Sequence, residues 1–149
     1  MHRANVYLKL AQYPEAKEDY LQVNDLFSAV SDIRSVNRLQ QDSTDGYYRL
    51  AELLYQLGHV SDALKEIREC LKLDPEHKKC FPFYKKLKKI DKLLLTCEEK
   101  SEARDYLGCI ASAERALAAE QEVTLVVFEA RRWLCSCYAK VGARGELVC

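Results

Sequence analysis

The amino-acid sequence predicts an all-α solenoid of paired helices. Three observations point there. Apolar residues recur at three- and four-residue steps along most of the chain, the period of an amphipathic helix. Five glycines and three prolines in 149 residues are too few for a turn-rich β fold or a disordered chain. Small residues repeat at a fixed distance: Ala29 and Ala63 stand 34 residues apart, a period that marks stacked helical units. Leu, Ala, Glu and Lys are abundant, as helices favour.

The clearest unit runs from Thr44 to Lys78, TDGYYRLAELLYQLGHVSDALKEIRECLKLDPEHK. Tyr47, Leu50 and Leu54 form the apolar stripe of a first helix. Gly58 stops it, because glycine enters the left-handed region without a Cβ penalty. Ser61-Asp62 starts a second helix, on which Ala63, Ile67 and Cys70 make a small apolar face. Asp74-Pro75 ends the unit, since the residue before proline is pushed out of the α region. This layout resembles a tetratricopeptide (TPR) repeat, with bulky positions at Tyr47, Leu50 and Leu54 and small ones at Ala51, Gly58 and Ala63. Cys70 stands where that pattern usually has alanine.

The remaining units are less regular. Residues 2–23 read as the back of a first repeat, with Ala4, Tyr7 and Ala11 on one helix and Ala16, Tyr20 and Val23 on the next. Ala29, Ile33 and Val36 repeat the second-helix pattern, yet Ala16 and Ala29 are only 13 residues apart. A first helix is missing between them. Either the two segments fuse into one long helix or they pack poorly, with frustration expected near Val23–Ser28. After Pro75, residues up to Tyr106 hold one long first helix or two short ones, and Ser101–Glu120 a second helix. The step from Ala63 to Cys109 is 46 residues, so extra helix is inserted there. Pro82 fits the first turn of that helix. Residues 123–141 give another amphipathic helix, ended by Gly142 and Gly145. The domain organisation expected is therefore 1–43, incomplete helices with an internal deletion; 44–77, a complete repeat; 78–123, an extended degenerate repeat; and 124–149, a truncated repeat. The solenoid is expected to be incomplete at both ends.

Charge bounds the function. Twenty-three basic residues balance 23 acidic ones, which argues against nucleic acid as a partner. The most apolar run, Val123–Phe128, is far shorter than the roughly 20 residues of a membrane span. The N-terminal stretch lacks the apolar core of a signal peptide, so a secretory parent would have lost it. His2, His59 and His77 are scattered, with no nucleophile-base arrangement. Glu98-Glu99 and Glu114 read as solvated helix faces. No glycine-rich phosphate loop is present. The chain is expected not to be an enzyme, and to hold no cofactor and no metal.

YYRLAELLYQLG, followed by IRECLKLDPEHKKCFPFYKKLKKIDKLL, with SDIRSVNRLQQDST before and LCSCYAK after, goes beyond a generic repeat. It resembles the DnaJ homolog subfamily C member 3 family, the endoplasmic-reticulum TPR/J-domain co-chaperones also described as inhibitors of initiation-factor kinases. The resemblance implies a TPR array that binds misfolded client proteins, within the unfolded protein response. It also implies a J domain that stimulates the lumenal Hsp70. The HPD tripeptide that a J domain needs appears nowhere in this sequence, so Hsp70 stimulation is not carried over. What is expected is a non-catalytic protein-binding scaffold in the endoplasmic-reticulum lumen. A cytoplasmic inhibitor of an initiation-factor kinase is the alternative, and an inactive truncated fragment a third reading.

The resemblance also bears on the cysteines. Cys70 ends one helix and Cys80 begins the next. They form either a disulfide, as the family's matching pair does, or two reduced, buried, small apolar residues. Cys135-Ser-Cys137 lacks the further ligands that zinc requires. The family joins the first cysteine of that motif to one further on, which makes Cys135 and Cys149 the candidate second bridge. The basic run Lys85–Lys92, KKLKKIDK, is either a solvated face of a core helix or a patch for an acidic partner. Tyr48, Glu52 and Tyr55 lie off the packing stripe of the first helix, where an array has its concave groove, and are the candidate peptide-binding residues. TPR domains that grip Hsp70 or Hsp90 tails resemble one another in a lysine and an asparagine at two such positions. Tyr48 and Glu52 occupy them here, so a carboxylate clamp in this groove is rejected.

Overall fold

The structure, a computed structural model, describes residues 14–142, with side chains from Gln22 onward. Six helices make up the described residues: α1 Pro14–Leu39, α2 Thr44–Gln56, α3 Val60–Leu73, α4 Cys80–Glu102, α5 Tyr106–Ala119 and α6 Thr124–Val141. Each packs mainly on the next in sequence. Joined by turns of a few residues, successive helices run antiparallel, which builds an all-α solenoid.

The turns follow from local chemistry. Ser43 caps α2 by accepting the Gly46 N–H at 3.2 Å. Leu57–His59 turn the chain, with Gly58 at φ 79°. A side chain at Gly58 would also press on Leu125, 3.2 Å from an added Cβ. The second helix begins at Val60, one residue before Ser61, and Val60 is buried. Asp74, extended before Pro75, closes α3. Asp105 caps α5 by accepting the Gly108 N–H at 3.0 Å, and Gly142 ends α6 in the left-handed region. The expected start of α5 at Ser101 gives way to a turn at 103–105, because Ser101 and Glu102 continue α4.

α1 shows how the missing first helix is absorbed. Residues 14–39 form one continuous helix, so the shortened spacing fuses two segments. Val30 is buried, and Val23, Leu26, Ala29 and Ile33 pack partly against the core. Phe27, Val36 and Leu39 lie on the exposed side, at 51%, 53% and 87% exposure. Residues 1–13 and 143–149 lie outside the described region. So do Ala4, Tyr7, Ala11 and Gly145 of the sequence expectations, and the side chains of Ala16 and Tyr20.

Two apolar cores result. The larger joins α1 to α4 and reaches Val126, and its centre is Leu50, Ala51, Ala63, Ile67, Leu87 and Ile90. The smaller, around Cys97, Cys109, Ala113, Leu134 and Cys137, joins α4, α5 and α6. The residues with little or no side chain at the helix crossings, Ala51, Ala63 and Ala113, are fully buried, so neighbouring backbones approach closely. Polar links add register: Ser61 Oγ donates to Asp91 Oδ1 at 2.6 Å at the surface, and the partly buried Ser112 Oγ to Leu93 O at 2.7 Å.

Candidate functional site

The face shared by α2 and α4 gathers the aromatic residues. Tyr48 is half-buried and meets Phe83 edge-on, ring centroids 5.8 Å apart. Lys79 Nζ lies 5.8 Å from the Tyr48 ring centroid. Glu52, one turn along α2, pairs with Arg49 at 3.4 Å. Partial burial raises the Tyr48 hydroxyl pKa, and the Glu52 carboxylate beside it raises it further. Phe81, 44% exposed and two residues from Phe83, points away from this face, with Lys85 Nζ 4.4 Å from its ring centroid.

Tyr55 is not part of an open groove, contrary to the sequence expectation. It is 4% exposed and belongs to the core. Its ring packs edge-on against Phe83 at 5.6 Å, and its hydroxyl donates to Glu120 at the end of α5. Glu120 is itself 3% exposed. Lys86 completes the cluster, 2.9 Å from Glu120 Oε1 and 5.5 Å from the Tyr55 ring centroid. The Glu122 N–H donates to the other Glu120 oxygen at 3.2 Å. Burial alone would push the Glu120 carboxyl up. The donors Tyr55, Lys86 and the Glu122 N–H outweigh it and hold the carboxyl at about 2. Burial and the same carboxylate push the Tyr55 phenol far up. Tyr55 thus supports the face on which Tyr48 stands. Helical period cannot reveal this, because the partner lies 65 residues away.

The comparisons with known proteins agree with this architecture. The tetratricopeptide repeat model matches residues 44–77. DnaJ homolog subfamily C member 3 of Rattus norvegicus is 37% identical over 112 residues, covering 75% of this chain and 22% of the relative. The Homo sapiens protein is 35% identical over the same length. The Gallus gallus protein is 33% identical over 123 residues, covering 83% of this chain and 24% of the relative. The solved structure of the P58(IPK) TPR domain superposes with a TM-score of 0.76 at 33% identity, over 83% of this chain and 34% of that one. The chain is homologous to DnaJ homolog subfamily C member 3. It spans about a fifth of the length of these curated relatives.

Within this TPR scaffold the cysteines are set by helix packing. Cys70 and Cys80 form a disulfide between the end of α3 and the start of α4, their Cα atoms 6.5 Å apart. Cys109 of α5 is joined to Cys137 of α6, Cα atoms 6.4 Å apart. Helical period gave no sign that Cys109 and Cys137 meet. Cys135 is not a free thiol; Cys149, named with it in the sequence expectation, lies outside the described residues. Cys97 is free and buried, and burial raises its thiol pKa.

His77 sits beside the first disulfide. Its Nδ1 accepts the N–H groups of Lys79 at 3.3 Å and Cys80 at 3.1 Å, capping the start of α4. Ligand atoms of Cys70, His77 and Cys80 lie within 4.8 Å of one another. Joined sulfurs offer no thiolate, so the cluster in this state is a structural staple. The run Lys85–Lys92 has Leu87 and Ile90 fully inside while its lysines are exposed. No helix among the described residues is long and apolar enough to cross a membrane.

Proposed function

We propose that the chain is a non-catalytic scaffold that holds unfolded client protein on the face shared by α2 and α4, as part of a lumenal co-chaperone of Hsp70. The homology to DnaJ homolog subfamily C member 3, on a TPR fold, carries this reading. In it, α2–α3 is the complete repeat, α4–α5 the extended one, and α1 and α6 belong to repeats 1–43 and 124–149. Tyr48 and Glu52 contact the client, with Phe83 continuing the aromatic surface and Tyr55 supporting it from below. An extended peptide fits such a surface, since aromatic rings give contact area and a polar rim gives register.

The disulfides support an oxidising compartment, such as the endoplasmic-reticulum lumen, over the cytosol. Cytoplasmic kinase inhibition draws no comparable support from the residues. Light scattering of reduced, denatured lysozyme, with and without the chain, tests the holding role. The intact chain should suppress aggregation at near-stoichiometric ratio. Tyr48→Ala should lose most of that effect while keeping its helical circular dichroism and melting temperature. Equal suppression by Tyr48→Ala would move the client surface elsewhere, and no suppression by the intact chain would end the holding reading.

A further inference from the structure

On the far side of α2 from Tyr48 and Glu52 lies a cavity of 290 Å³ between α1, α2 and α3. Arg34, Asn37 and Arg38 enter it from α1, Tyr47 and Leu50 from α2, and Glu66 from α3. We propose that this pocket binds a peptide carboxylate, gripped by Arg34 and Arg38, with the adjoining peptide group on the Asn37 amide. The site is separate from the client face, and neither depends on the other.

Asn37 is the first observation. It is 7% exposed, yet neither its amide nitrogen nor its amide oxygen has a hydrogen-bond partner. Buried amides are almost always paired, so an unpaired one calls for a ligand group. The chain also makes room for it: a Cβ on Gly46, in the first turn of α2, would overlap Asn37 Oδ1. Both amide atoms are closed to solvent, the oxygen against Gly46, so a ligand meets them once the Asn37 side chain turns toward the pocket, where donor and acceptor complement a peptide C=O and N–H.

Charge is the second observation. Arg34 and Arg38 stand four residues apart on α1, a spacing at which like charges repel. Among the described residues neither has an ion pair within 4.0 Å. Glu66 supplies the pocket's one carboxylate and acts on Arg34 through space. Two guanidinium groups against one carboxylate leave a positive charge to be matched. Guanidinium groups pair with carboxylates through paired N–H donors. A phosphate would also meet the arginines, so inorganic phosphate is one arm of the test. Tyr47 and Leu50 give the ligand's side chain an apolar wall.

Nuclear magnetic resonance on the 15N-labelled chain tests this, following the Asn37 side-chain amide. The probes are N-acetyl-Ala-Ala as the free acid, the same dipeptide as its C-terminal amide, and N-acetyl-Asp-N-methylamide. The free acid should give saturable shifts at Asn37, with the C-terminal amide binding about tenfold more weakly or not at all. Equal binding of the aspartate probe would also support the pocket and identify an acidic side chain as its source; weaker binding identifies a chain terminus. Arg34→Gln and Arg38→Gln should each weaken the free acid about tenfold. Glu66→Gln should tighten it several-fold by removing the internal competitor, a gain that misfolding cannot produce. Equal binding of acid and amide, or inorganic phosphate matching the acid without moving Asn37, would overturn the proposal. So would the absence of any saturable shift.

Discussion

Glu120 shows how one residue can tie distant parts of the chain. Its buried carboxylate accepts from the buried Tyr55 hydroxyl and the Glu122 N–H and pairs with the half-exposed Lys86. Its folded value of about 2 lies below the ordinary 4.5. The stabilisation is therefore complete above about pH 4.5 and is lost as pH falls toward 2. On the order of 3 kcal/mol is involved. Melting temperature followed from pH 6 to pH 2.5 should fall steeply in the native chain. Glu120→Gln should start lower and flatten that dependence. Tyr55→Phe removes one donor and leaves the carboxylate short of a partner, which should cost about 1–3 kcal/mol in chemical denaturation. At Gly58, left-handed backbone and the nearness of Leu125 act together. Gly58→Ala should lose about 1–2 kcal/mol, and no loss would mean the turn can relax. Gly58 was legible in the sequence because its constraint is local. Glu120 was not, since its partners come from α2 and α4, and Tyr55 was misplaced for the same reason. A residue off the helix stripe is buried when a third helix covers it.

At the scale of elements, two disulfides staple neighbouring helices. The Cys70–Cys80 bridge closes a loop 10 residues long, which in the chain-entropy model contributes roughly 2–3 kcal/mol. Cys70→Ala with Cys80→Ala should lower stability by about that much under non-reducing conditions. The difference should shrink when both proteins are melted in reductant, because the native bridge is then lost as well. The turn chemistry at Gly58, Asp74-Pro75 and Gly142 was readable residue by residue, and it bounds α2, α3 and α6 to within a residue or so. The fusion of α1 and the single long α4 were left open in the sequence reading. Apolar period alone does not say whether a helix continues through a weakly patterned stretch; the burial of Leu87 and Ile90 in the larger core and of Cys97 in the smaller one settles α4.

For the whole molecule, the small residues at Ala51 and Ala63 and the apolar stripe through Leu50, Leu54 and Ile67 generate the helix pair, and repetition of such pairs gives the TPR scaffold. That much follows from a 34-residue period. The function follows less directly, because a scaffold's surface chemistry is not periodic. Tyr48 and Phe83 come together only after α2 and α4 are stacked. Hydrogen exchange of the chain with and without reduced, denatured lysozyme tests the client face most directly. Protection should rise in Thr44–Gln56 and in the first turns of α4, while α6 exchanges as before. Protection confined to α6, or none anywhere at saturating client, would contradict a binding face on α2 and α4.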